Sequence, residues 1–324
     1  MKLKNIPIII LLLVLLVGCN KAAKPIEPTE PPKEKEYLVT YIDNNKVYLK
    51  NVKTNESWVV YEPTEEIDVI IPNPTMKVIA FTTKGTDKAE KQLKIYDWGK
   101  DQLFEVSKIN SEMPVLSWSD DGCYLMKYES KFGDWGNALI YNFVTQRVSC
   151  ELSAIAEPVW NIDSNTVLAH IPQHLEQKIP FDNGHSSTVI IYDVADSEFK
   201  TILKGDQKTI YRSIKWLNEN EIAYRRFDVK SAEEQIHKLN LTSGEDENIT
   251  DKVNELIFNN PKVPEEFYDY QYYELSTDEN YAILCTIGDD LNSIELYTKD
   301  TGEIKKLTAG YCASWVNWSM IKKE

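Results

Sequence analysis

The residues best suited to chemistry fall in two irregular stretches. Ile171 to Ser187 carries His174, Asp182 and His185, with His170 just before it. Thr250 to Tyr273 carries Glu265, Glu266 and Asp269 among the aromatics Phe267, Tyr268 and Tyr270. Imidazoles with a carboxylate are suitable metal ligands, but no HExxH-like spacing fixes their geometry, so no metal and no cofactor is expected. The acidic aromatic stretch suits packing over a sheet edge or contact with a partner. Catalysis has little to stand on. Gly184 to Val189, GHSSTV, fails the G-x-S-x-G pattern at its last glycine and leads into a strand rather than a helix. No phosphate loop or dinucleotide fingerprint occurs. Carboxylates are numerous enough that a glycan-acting pair stays open as an alternative.

The elements that must position these residues repeat along the chain. Leu116 to Tyr128, LSWSDDGCYLMKY, has an apolar entry, Trp118, a polar turn and a second apolar strand, and NALIYNF, VTQR and VSCEL follow. Four short strands separated by turns make one unit. The order recurs around Trp160 and Trp216, with Leu275 and Ile71 in the tryptophan's place in two further copies. Tyr37 to Tyr61 reads as three strands without the tryptophan entry, and the C-terminal CASWVNWSM is that entry without its followers. Joined, the two ends complete a sixth unit. A ring closed by pairing the C-terminal strand with the N-terminal strands explains both halves, because closure leaves fewer exposed edges.

Residues 36–324 divided by six give about 48 per unit, a length that suits four-stranded blades. The fold expected is all-β, a six-bladed β-propeller over 37–324. The Trp118-Ser119-Asp120-Asp121-Gly122 core resembles that of the TolB-type six-bladed β-propellers, aromatic-Ser-Pro-Asp-Gly, with Asp120 in place of proline. The resemblance implies protein partners in a bacterial envelope. The tryptophans read as packing between units and the polar tetrads as hairpin turns. Function is then expected at the opposite end, where KGTDKAEKQ, SKFGDWGN, FDVKSAEEQ and the two stretches above differ in length and composition.

The N-terminus predicts the setting. MKLKN is basic, Ile8 to Val17 is apolar but shorter than the roughly 20 residues that span a bilayer, and Leu16-Val17-Gly18-Cys19 follows. These residues resemble the bacterial lipobox, which implies a signal peptide over 1–18 and lipidation at Cys19. Two acyl chains suffice for stable anchoring. Residues 19–36 bear four prolines and many charges, and read as a tether to a body facing outside the cytoplasm. The formal charge is −15, and loss of Lys2 and Lys4 with the signal takes it to −17. Nucleic acid and anionic lipid are therefore excluded as partners of the surface. The chain is expected to be a monomeric, membrane-anchored binding or scaffolding module, with a glycan-acting enzyme or a small-ligand receptor as alternatives. Cys123, Cys150, Cys285 and Cys312 are placed to be free thiols or disulfides, and both readings stay open.

Overall fold

The computed structural model describes residues 37–85, 90–111, 114–131, 135–161, 165–171, 188–206, 208–251, 272–276, 278–286 and 292–316. All of them lie in the second of the two units into which the chain divides, Glu36–Glu324.

Among the described residues every regular element is a strand. In chain order these are β1 (Leu38–Asp43), β2 (Lys46–Asn51), β3 (Ser57–Tyr61), β4 (Ile67–Pro72), β5 (Val78–Thr83), β6 (Gln92–Asp97) and β7 (Gln102–Lys108). Then come β8 (Val115–Trp118), β9 (Tyr124–Lys131), β10 (Trp135–Asn142), β11 (Arg147–Trp160), β12 (Thr166–Ile171), β13 (Thr188–Asp193) and β14 (Glu198–Lys204). The last third holds β15 (Thr209–Asn218), β16 (Glu221–Asp228), β17 (Glu233–Asn240), β18 (Asp246–Asn248), β19 (Tyr272–Leu275), β20 (Tyr281–Thr286), β21 (Ser293–Thr298), β22 (Glu303–Ala309) and β23 (Tyr311–Val316).

All pairings are antiparallel, in the orders β4-β5-β6-β7, β15-β16-β17-β18 and β19-β20-β21-β22. The terminal strand β23 completes a fourth sheet, β23-β1-β2-β3, with Leu38 opposite Val316 and Val39 opposite Trp315. Strands β8 to β14 form one seven-stranded sheet because β11 serves twice. Its first half pairs with β10 and its second with β12. The bend between them is made by two residues in the left-handed region, Ala154 at φ 61° and Glu157 at φ 49°, with a bulge between Ala156 and Val159. Each four-stranded group thus has a first, second, third and outermost strand.

Apolar clusters lie between successive groups. Ile42 and Val47 meet Ile67 and Phe81, while Ala80 and Ile95 meet Trp118 and Leu125. Ile140 and Leu152 meet Ala169 and Ile190, Leu168 and Val189 meet Trp216 and Tyr224, and Ile283 and Ile294 meet Val39 and Tyr41. A second strand such as β5 is buried throughout because a neighbouring sheet covers each of its faces. The outermost strands, such as β7 and β22, are mostly exposed. That is why the inner strands read as continuous apolar runs and the outer ones as mixed.

The repeat is regular in its hydrogen bonds, and it corrects one alignment. Ser119, Asn161 and Ser276 each donate a backbone N–H to the carbonyl five residues on, and Asn73 does the same to Val78. Trp118, Trp160 and Leu275 stand just before those residues, and so does Pro72, not Ile71. Pro72 pairs with Ile79 as Trp118 pairs with Leu125. Two of the stretches expected to be irregular are also largely strand. β9 runs to Lys131 and β10 starts at Trp135, while β16 and β17 leave only residues 229–232 between them.

Candidate functional site

The two ends of the sheets are built differently. At the end holding the tight turns, neighbouring groups are tied by polar side chains. Asn73 Nδ2 donates to the Gly122 carbonyl (2.8 Å), Thr75 Oγ1 to the Asp121 carbonyl (2.9 Å), Asn165 Nδ2 to Asp121 Oδ2 (3.2 Å) and Asn161 Nδ2 to the Glu219 carbonyl (3.0 Å). Burial pushes the Asp121 carboxyl upward. Hydrogen bonds from Ser119, the Cys123 N–H and Asn165 outweigh it and hold the carboxyl below the usual range. Gly122 sits at φ 71°, and a Cβ there would meet Asn73 Oδ1 at 2.3 Å. These polar groups hold neighbouring sheets together at this end.

The other end carries the long connections. Cys19 and all the candidate recognition residues, His174, Asp182, His185, Glu265, Glu266, Phe267, Tyr268, Asp269 and Tyr270, lie outside the described residues. Their roots are described. Ile171 pairs directly with Thr188, so 172–187 connects two adjacent strands at one end of their sheet. Residues 252–271 connect outermost strand β18 to first strand β19.

His170 stands one residue before the first of these roots. Its Nδ1 is buried, has no hydrogen-bond partner among the described residues, and lies 3.9 Å from Glu157 Oε2. Burial pushes the imidazole below its ordinary pKa, and the Glu157 carboxylate counters part of that shift. Glu157 is held there by the bend of β11, and its side chain stays 64% exposed. Across the same bend Tyr128 donates its hydroxyl to the Ile155 carbonyl (3.3 Å), and burial raises its pKa. A neutral imidazole beside a solvated carboxylate can bind a polar group. Among the described residues no group of three or more His, Cys, Asp or Glu is placed to hold a metal ion.

Lysines brace the rest of this end. Lys94, 6% exposed at its side chain, pairs with Glu65 and with Glu105 (3.5 Å). Lys127 pairs with Glu129 (2.9 Å) and donates to the Lys108 carbonyl (2.8 Å). Glu129 Oε1 accepts the N–H groups of Asn110 (2.6 Å) and Ser111 (3.2 Å). These pairs fix the crossings from one sheet to the next. Sequence reasoning singled out neither Glu157 nor Tyr128, since nothing in AIAEPVW marks a bend.

The thiols Cys123, Cys150 and Cys285 are free. In the third group, β10 lies between β9 and the Cys150 segment of β11.

No protein-family model matches the sequence, and no curated protein matches it. Among solved structures, TolB from Acinetobacter baumannii is similar at 11% identity and a TM-score of 0.45 over 87% of this chain and 66% of that chain. The β-propeller domain of the Trilobed protease from Pyrococcus furiosus is similar at 14% identity and a TM-score of 0.45, over 84% of this chain and 85% of that one. Oligogalacturonate lyase from Vibrio parahaemolyticus shares 13% identity at a TM-score of 0.44, over 85% and 75%. The chain thus spans just under two thirds of the Acinetobacter TolB. Likeness at this level carries no argument about what the chain does.

Proposed function

We propose that the chain is a lipid-anchored, six-bladed β-propeller that faces outside the cytoplasm and binds a protein of the cell envelope through its loop-bearing end. The pairing of β23 with β1 supports closure of the ring, together with apolar clusters between the described neighbouring groups. The junction completing the circle is the one between β15-β18 and β19-β22. Leu16 to Cys19 supports the anchor, and residues 19–36 would hold the body off the lipid.

The observation that carries the binding role is the difference between the two ends. Polar side chains tie neighbouring sheets at both, but one closes its strands with short turns. The other bears connections of unequal length rising from braced strand ends, the usual arrangement of recognition loops on a rigid scaffold. A resemblance in fold adds little, because propellers host many functions. The test is crosslinking in membranes followed by capture of the chain, with 172–187 and 252–270 shortened in turn. Loss of one specific protein partner on shortening either loop supports the reading. Turnover of wall glycan with no protein partner overturns it.

A further inference from the structure

The outermost strand of each sheet exposes an unpaired edge, and proteins commonly guard such edges with charge. Five of the six described outermost strands do so here, as Glu105 of β7, Arg147 of β11, Lys200 of β14, Glu247 of β18 and Lys305 of β22 illustrate. The sixth, β3, does not. Its sequence is Ser-Trp-Val-Val-Tyr, without a charge or a proline. Trp58 is 45% and Val59 50% exposed, one on each face. Among the described residues β3 pairs only with β2, with a bulge between Val59 and Tyr61, and lies at the end of its sheet.

Carboxylates stand at both ends of this edge. Glu56 precedes it and is exposed; Glu62 follows it, 64% exposed, with Lys46 on Oε1 at 3.0 Å. They lie level with Asn51 and Lys46 of β2, because a bulge between Val59 and Tyr61 takes up one residue, so about 17 Å separates them. The arrangement rejects a second copy of the chain, because antiparallel pairing along the whole edge would bring Glu56 of each copy close to Glu62 of the other. Like charges facing across strands destabilise. Cations in those two places would be attracted, and Trp58 offers a ring face to an arginine.

We propose that β3 docks an extended segment of another protein as an added strand, a segment of alternating apolar residues with a lysine or arginine at each end, about five positions apart. Main-chain hydrogen bonds would supply affinity, and the two acidic ends its register and specificity. This is a separate surface from the loop-bearing end, and each reading can fail without the other.

The test uses the full chain and a capped peptide, Arg-Thr-Val-Thr-Val-Arg, followed by calorimetry or NMR. Saturable binding is expected, on the order of tenfold weaker when both arginines become glutamate and lost when the backbone amides facing β3 are N-methylated. The variant W58K/V59K should lose binding while keeping the wild-type urea midpoint; V59K alone serves if the double variant does not fold. Absence of saturation, equal binding of the glutamate-ended peptide, or undiminished binding by the folded variant overturns the proposal.

Discussion

The indole Nε1 of Trp118 donates to the carbonyl of Ile71, 3.3 Å away in the neighbouring sheet. The relation repeats at equivalent positions, from Trp160 to the Ser117 carbonyl (3.3 Å) and from Trp315 to the Glu274 carbonyl (2.8 Å). Each tryptophan therefore fastens its own first strand to the first strand of the group before it. Trp216 is the exception, buried to 6% exposure with Nε1 unpartnered among the described residues.

That contrast gives the first prediction. Trp118→Phe forfeits a hydrogen bond as well as packing volume, whereas Trp216→Phe forfeits volume alone and relieves an unsatisfied donor. The former should cost about 1 kcal/mol more than the latter, read as urea midpoints at constant m. Equal losses would show that the indole N–H contributes nothing.

The second concerns alkali. Tyr37 donates its hydroxyl to Asp278, joining the start of the body to the β19–β20 turn, and its ring stands edge-on to Tyr281 at 4.6 Å. That hydrogen bond, then burial and the carboxylate's charge, pushes the phenol up to about 12. The folded state keeps the proton while the unfolded state loses it near 10. Stability from this group is therefore complete below pH 10 and lost as pH rises towards 12. Tyr37→Phe should be less stable at pH 8 and fall less steeply between pH 10 and 12, measured by denaturant titration.

The third works in the acid range. His170 is held below its ordinary pKa by burial, so the unfolded state binds a proton first as pH falls. Its contribution is present above about pH 6.5 and declines below it. His170→Gln should flatten the stability profile between pH 7 and 5, a change that a purely structural loss would not produce.

The fourth is chemical. Burial pushes the Cys285 thiol up to about 11, and Cys123 and Cys150 are raised by burial as well. In the native protein, alkylation of Cys285 should follow global unfolding, while Cys123, half-buried beside a turn, reacts sooner. Mass mapping of iodoacetamide adducts over time decides it, and early modification of Cys285 would contradict the packing of β20 against β1.

The unit around Trp118 was legible in sequence because its turn spells its own geometry, Asp-Gly with glycine at positive φ. The copy around Pro72 was read one residue out of step. Hydrophobicity favours Ile71, but Asn73 sets where the turn begins by accepting the N–H groups of Thr75 (2.9 Å) and Met76 (2.9 Å). The stretch around Phe227 to Gln235 looked like a loop because strand ends wetted on both faces carry polar residues. Arg225 and Glu234, 2.7 Å apart across β16 and β17, are such a pair. His170 could be marked from its place beside a long irregular stretch. Glu157 could not, since its role depends on a bend created by the pairing of β11 with two different strands.

The central claim is that the loop-bearing end does the binding. Photocrosslinking residues placed singly at exposed positions on that end, Lys84, Asn110 and Glu157, and on the turn end, Asp101, Ser197 and Thr301, test it directly. Irradiation of membranes should give one discrete protein adduct from the first set and none from the second. Adducts from the turn end alone, or equally from both ends, would contradict the account.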